Sequence, residues 1–281
     1  MPVSPALLDV DWLGACRAAA EGLRDVLRAH PTSAQRVIET GERGEGGDRT
    51  LVIDREAEDA VFGQLERLHD DGARFVAISE ERGVVDFGDD TVRVVIDPLD
   101  GSLNAKRGLS HHALSIAVAD GPTMADVAVG YVRDLGPDEE WWAVRGEGAQ
   151  LDGVPLRDVA PERRNRAGRL ELVAVEAADP RWLAASSDAL QRTAHRVRAL
   201  GAMAVSLCQV AAARVDGMVS LTPCRAVDVA AAQLIVREAG GLVAFPAMAT
   251  ALGAPLDLVP HSPIVAARTA QGLAELSQVP A

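Results

Sequence analysis

The chain has 281 residues, 48% of them hydrophobic, enough to bury the core of one large domain or two modest ones. Its 41 acidic residues outnumber 28 basic ones, and the formal charge of −13 argues against a nucleic-acid surface or an anionic membrane as partner. No window approaches the roughly 20 apolar residues of a membrane span, and MPVSPALLDVDWLG lacks the basic start and apolar run of a secretory leader, so a cytoplasmic protein is expected.

In chain order, Leu13, Cys16, Ala20, Leu23 and Leu27 recur every three or four residues and predict an amphipathic helix over 11–30, ended by Pro31. GERGEGGDR (41–49) reads as a mobile, charged loop. TLVIDREAEDAVFGQLERLH reads as a short extended piece entering a second helix, with Asp54 suited to its N-cap. RFVAISEE (74–81) and VRVVID (92–97) are apolar strands with acids at their ends, Glu80-Glu81 and Asp97. ALSIAVAD and MADVAVGYV continue as strands, and EEWWAVRGEGAQLDGVPL as a hairpin with turns at Gly146–Gly148 and Asp152-Gly153.

The arginine-rich RDVAPERRNRAGR (157–169) reads as a domain boundary or exposed crossover. It divides an N-terminal α+β half, 1–156, from a C-terminal α/β half, 157–281. LELVAVE is a strand, a helix is expected near 181–192, and AMAVSLCQVAAARVDG reads as one long helix. VDVAAAQLIVREAGG (227–241) is a helix closed by a Gly pair, followed by the strand LVAF. Antiparallel sheet first and alternating α/β later make a mixed α/β (α+β) chain. Cys16, Cys208 and Cys224 are an odd set without a C-x-x-C pair, as expected of reduced thiols. Lys106 is the only lysine.

The stretch Asp97-Pro98-Leu99-Asp100-Gly101-Ser102 carries the chemistry. Two carboxylates follow an apolar strand, Pro98 is expected to stop the strand and stiffen the turn, and Gly101 permits close backbone approach. If Ser102 opens a helix, the outward amides there can hold phosphate oxygens beside metals held by the acids. Asp54, Glu80 and Asp228 stand at comparable element ends. Each alone is ordinary, since a carboxylate at a helix start complements the dipole.

DPLDGSLN resembles the D-P-[IL]-D-G-[ST]-x-N signature of the inositol monophosphatase family. The likeness extends to ISEERG, GDRTLVIDREAED, WWAVRGEGAQLDGVPL and VDVAAAQLIVREAGG, five ordered blocks over roughly residues 40–245. The spelling is nearest the archaeal and bacterial branch, whose members can act on both inositol phosphate and fructose 1,6-bisphosphate.

The resemblance implies a layered αβαβα sandwich and a magnesium-dependent phosphomonoesterase. Glu80, Asp97 and the Leu99 carbonyl would hold a first Mg2+, and Asp97, Asp100 and Asp228 a second. A third, looser ion would share Glu80. Asp54 with the Ser102 hydroxyl would orient and deprotonate a metal-activated water for in-line attack. Asp100, Gly101, Ser102, Gly201, Ala202, Arg225 and Asp228 would bind the small phosphorylated polyol or sugar. The loop around 41–50 would order with the metal, and a homodimer is the family expectation.

Departures are Ala105 for an aromatic, Ser110 for Pro, Val227 for Trp and Ala232 for Gly. Leu221 stands where animal-type members grip inositol hydroxyls with an acid. Arg225, Arg196 and Arg198 could instead bind a second phosphate, which favours a sugar bisphosphate. A phosphoadenosine nucleotide ranks behind both esters. An aspartyl-phosphate mechanism is excluded because the acids are three apart, not two. His111-His112 as a metal ligand or catalytic base, and a non-catalytic metal- or phosphosugar-binding relative, are the weaker alternatives; retention of all five acids argues against the last.

Overall fold

A computed structural model describes Leu7 and residues 9–43, 49–157 and 160–279. Helix α1 (Trp12–Ala29) is capped by the Asp11 carboxylate, which accepts the Gly14 amide at 2.9 Å. A short α2 (Ser33–Arg36) follows, then strands β1 (Glu39–Arg43) and β2 (Arg49–Leu51), which pair with each other. The loop read at 41–49 is therefore shorter at both ends, and residues 44–48 lie outside the described residues. So do 158–159 of the expected crossover and residues 1–6 and 8 at the start of the chain.

Helix α3 (Val52–Asp70) leads into β3 (Val76–Ser79), β4 (Gly83–Asp86), β5 (Arg93–Asp100) and the six-residue α4 (Ser102–Arg107). Strands β6 (Ala113–Ala119), β7 (Val127–Asp134), β8 (Glu139–Val144), β9 (Gly148–Leu151) and β10 (Val154–Leu156) complete a sheet in the order β10-β9-β8-β7-β6-β5-β3-β4. Only the β3–β5 pair is parallel.

The second sheet, β12-β11-β13-β15-β14, is built from β11 (Leu170–Glu176), β12 (Ala194–Arg198), β13 (Gly217–Ser220), β14 (Leu242–Ala244) and β15 (Val265–Ala267). Its first three strands run parallel, and β15 is antiparallel to both neighbours. Helices α5 (Pro180–Ala185), α6 (Ser187–Thr193), α7 (Met203–Ala211), α8 (Ala226–Glu238) and α9 (Ala270–Leu276) complete the fold.

Three apolar clusters set the layers. Alternation along β5 sends Val94 and Ile96 toward α1 and α3, and Val95 toward α7 and α8. Helix α8 is apolar nearly all round because both its sides are covered, by the large sheet and by the small one. The outer face of the small sheet packs Val173, Val219 and Val265 against Leu190 and Leu276 of α6 and α9. The order is αβαβα, as the family resemblance implied. Gly130 of β7 sits where α8 presses hardest: a Cβ there would lie 2.5 Å from the Ala231 carbonyl oxygen.

Some expectations need correction. The helix near 181–192 is two, broken at Ser186. The long helix after 202 ends at Ala211, because Ala213 takes a left-handed φ of 55° and the chain turns into β13. Several short elements, α2, β4, β12, β13, β15 and α9, none longer than seven residues, are not anticipated from the sequence pattern. All three cysteines are free and buried, and burial pushes the Cys16 thiol up to about 12. Among the described residues no helix is long and apolar enough to cross a membrane.

Candidate active site

Pro98 does not stop its strand. Asp97 pairs with Ser115 and Asp100 with Ala113, so three steps along β5 match two along β6. The extra residue is a bulge, a device that re-aims side chains beside active sites. The parallel register Ser79↔Ile96 then sets Glu80, just past β3, beside Asp97.

Asp54 and Asp228 are placed by one shared device. Each is the third residue of its helix, not the cap, and each accepts the amide of the residue before the helix. Leu51 N donates to Asp54 Oδ2 at 3.3 Å, and Arg225 N to Asp228 Oδ2 at 2.9 Å. This is the acidic half of a capping box, without a Ser or Thr at the cap to announce it.

One small cavity of about 60 Å³ is lined by Asp54, Glu80, Glu81, Asp97, Pro98, Leu99, Ser102 and Lys106. The Lys106 ammonium stands 3.4 Å from Asp54 Oδ2. Arg225 bridges the next edge, 2.8 Å from Glu80 Oε1 and 2.9 Å from Asp228 Oδ1.

Asp100 is not among the residues lining this cavity; its two carboxylate oxygens accept the amides of Met203 (3.1 Å) and Ala204 (2.8 Å) at the start of α7. Gly101, at φ 77°, has no space for a side chain: a Cβ would lie 2.9 Å from the Ala202 Cβ and 3.0 Å from the Gly201 carbonyl. Asn104 ties the same loop down, donating to the Leu200 carbonyl at 2.7 Å and the His111 carbonyl at 2.9 Å. Thus Asp54, Glu80, Asp97, Leu99 and Ser102 share one cavity. Gly101, Gly201 and Ala202 form an adjoining floor, and Arg225 with Asp228 closes one side.

The electrostatics are those of crowded acids. Burial first, then Glu80, Asp100 and Asp228, holds the Asp97 carboxyl well above the ordinary range, while Arg225 pulls it down. Burial and Asp228 do the same to Asp100, opposed by the Ala204 amide. Burial raises Asp54 against the pull of Lys106, and raises Asp228 against that of Arg225.

Carboxylates and carbonyl oxygens without a thiol or imidazole are the donor set of a hard divalent ion such as magnesium. Among the described residues no three His, Cys, Asp or Glu side chains already stand at ligating spacing. The guanidinium and ammonium occupy edges of the cluster instead.

Two contributors had no local signal, and a third had only a weak one. Glu58, one turn after Asp54, accepts Ser79 Oγ at 2.5 Å and the Arg82 amide at 3.1 Å, fixing the chain on both sides of Glu80-Glu81. Glu176 accepts the amides of Leu200 and Gly201 and the Ser206 hydroxyl, holding the floor loop. Lys106 was conspicuous only as the lone lysine.

Other expectations separate from the site. Arg196 and Arg198 line a different cavity, with Arg163 and Arg214. His111 faces buried Asp134 at 3.2 Å, and His112 faces the Leu109 carbonyl. Leu221 is buried in the outer core, and Val227 and Ala232 in the central one. Ala105 is fully buried, and its carbonyl accepts Arg36 Nη1 at 2.7 Å.

The family model for the inositol monophosphatase family matches residues 10–279. Among curated relatives, the Nus factor SuhB of Pasteurella multocida is 36% identical over 200 residues, 70% of this chain and 71% of that protein. The fructose-1,6-bisphosphatase/inositol-1-monophosphatase of Methanothermobacter thermautotrophicus is 35% identical over 211 residues, 71% of this chain and 72% of that protein. The crystal structure of extragenic suppressor protein suhB from Bartonella henselae superposes with a TM-score of 0.75 at 25% identity, covering 94% of this chain and 95% of that one. With its αβαβα layers and its match along nearly the whole length, the chain belongs to the inositol monophosphatase family.

Proposed function

We propose that the chain is a magnesium-dependent phosphomonoesterase acting on a small phosphorylated polyol or sugar. Inositol monophosphate is the first candidate substrate and fructose 1,6-bisphosphate the alternative. The observation that carries the reading is the meeting of Asp54, Glu80, Asp97, Leu99 and Ser102 around one cavity. A relative named for both activities supports the choice of substrates.

Glu80, Asp97, the Leu99 carbonyl, Asp100 and Asp228 would hold the magnesium, and two to three ions suit that many donors. Bound there, magnesium supplies positive charge for the attacking and leaving oxygens. Asp54, buried yet kept beside an ammonium, takes the proton of the attacking water, and the Ser102 hydroxyl orients that water. The phosphoryl group needs the close approach that Gly101 permits, and the polyol extends over Gly201 and Ala202. Arg225, held between Glu80 and Asp228, would meet either a hydroxyl or a second phosphate.

Phosphate release from the two esters, compared at equal concentration, tests the substrate assignment. Preference for inositol 1-phosphate is expected. Preference for the bisphosphate would reassign Arg225 to its second phosphate, and release from neither would remove both substrates. A second reading, a Nus-factor role without turnover, is favoured by the relatives bearing that name and by nothing in the site's geometry.

A further inference from the structure

Ser102 and Lys106 are four residues apart on α4, hence on one face of that helix, and both line the acidic cavity. The lysine side chain is 21% exposed, and its ammonium is aimed at Asp54 rather than at solvent. It is the only lysine in the chain, placed among Asp54, Glu80 and Glu81. At the other edge, Arg225 spans Glu80 and Asp228. Arg225 binds oxygens of two proposed metal ligands, Lys106 holds the Asp54 edge of the same cavity, and like charges repel strongly in so small a space.

We propose that Lys106 is a resident counter-ion of this cluster, taking at the Asp54 edge the charge that a third divalent ion would otherwise supply. The inference rests on the magnesium-dependent reading above and narrows it from two or three ions to two. Charge balance agrees. Two divalent ions with Lys106 and Arg225 carry as much positive charge as the carboxylates of Asp54, Glu80, Glu81, Asp97, Asp100 and Asp228 carry negative. In the absence of a bound anion, a third ion would leave an uncompensated positive excess. A merely structural ion pair between Lys106 and Asp54 predicts no such effect on metal count.

The test is a calorimetric titration of Mn2+ alone into full-length wild type, Lys106→Met and Lys106→Arg, each checked for folding by circular dichroism. Wild type and Lys106→Arg should bind two ions per chain. Lys106→Met should bind a third, at least tenfold tighter than any further binding by wild type. Should Lys106→Met not fold, Lys106→Gln takes its place with the same expectation. Two ions in every variant, or three in wild type, would overturn the counter-ion role while leaving the metal-dependent reading standing. No saturable Mn2+ binding by any folded variant would overturn both.

Discussion

Asp100 and Ala204, more than a hundred residues apart, are joined by a 2.8 Å hydrogen bond from the Ala204 amide to Asp100 Oδ2, so a proposed metal ligand also caps α7. The Met203 amide binds the other oxygen. Asp100→Asn leaves one acceptor and turns an amide NH2 toward a second donor. Faster hydrogen exchange at Met203 and Ala204 is expected, with β11 unchanged. Unaltered exchange at both amides would show that the cap is not formed.

Gly130→Ala tests the contact that fixes Asp228. The new methyl would lie 2.5 Å from the Ala231 carbonyl oxygen, so α8 must move from β7. Overpacking of this kind costs about 1–3 kcal/mol. Urea unfolding should show that loss, and turnover should fall with it because Asp228 opens the displaced helix.

Asp97→Asn separates function from stability. On the proposed reading it loses turnover, while the Leu99 amide keeps its acceptor. Because burial and neighbouring acids raise the Asp97 carboxyl, its ionised form destabilises the fold at neutral pH. A carboxyl with a raised folded pKa binds its proton more tightly when folded. The penalty is therefore full above that folded value and disappears as pH falls toward the unfolded value of about 4. In chelator, the variant should melt higher than wild type at pH 7, and the gap should narrow on acidification. A variant that melts lower at every pH would contradict the crowding described here.

Ser102→Ala removes the hydroxyl that the reading assigns to orienting water. Steady-state kinetics should give kcat lower by about 10²-fold with KM changed far less. A change in KM alone would make Ser102 a substrate contact instead.

Much of this was legible in the sequence because it is local. Acids at the ends of VAIS and RVVID, and Ser102 four residues before the only lysine, are visible as strings. What was not legible depends on distant partners. Nothing near Asp100 announces the amides of α7, and nothing near Glu176 announces the Gly201 loop it holds. Pro98 looked like a strand end because proline cannot donate to a ladder, yet a bulge lets pairing resume at Asp100. Asp54 looked like a cap because sequence shows that a helix starts but not at which residue. The short strands β13 and β15 are buried runs of three or four residues, too brief for a period to appear.

Phosphate release by the wild-type protein from inositol 1-phosphate and fructose 1,6-bisphosphate, with magnesium and again with chelator, tests the central claim most directly. Release that depends on magnesium, and that Asp97→Asn abolishes, is the predicted result. Equal release in chelator, or near wild-type release by Asp97→Asn, would contradict it.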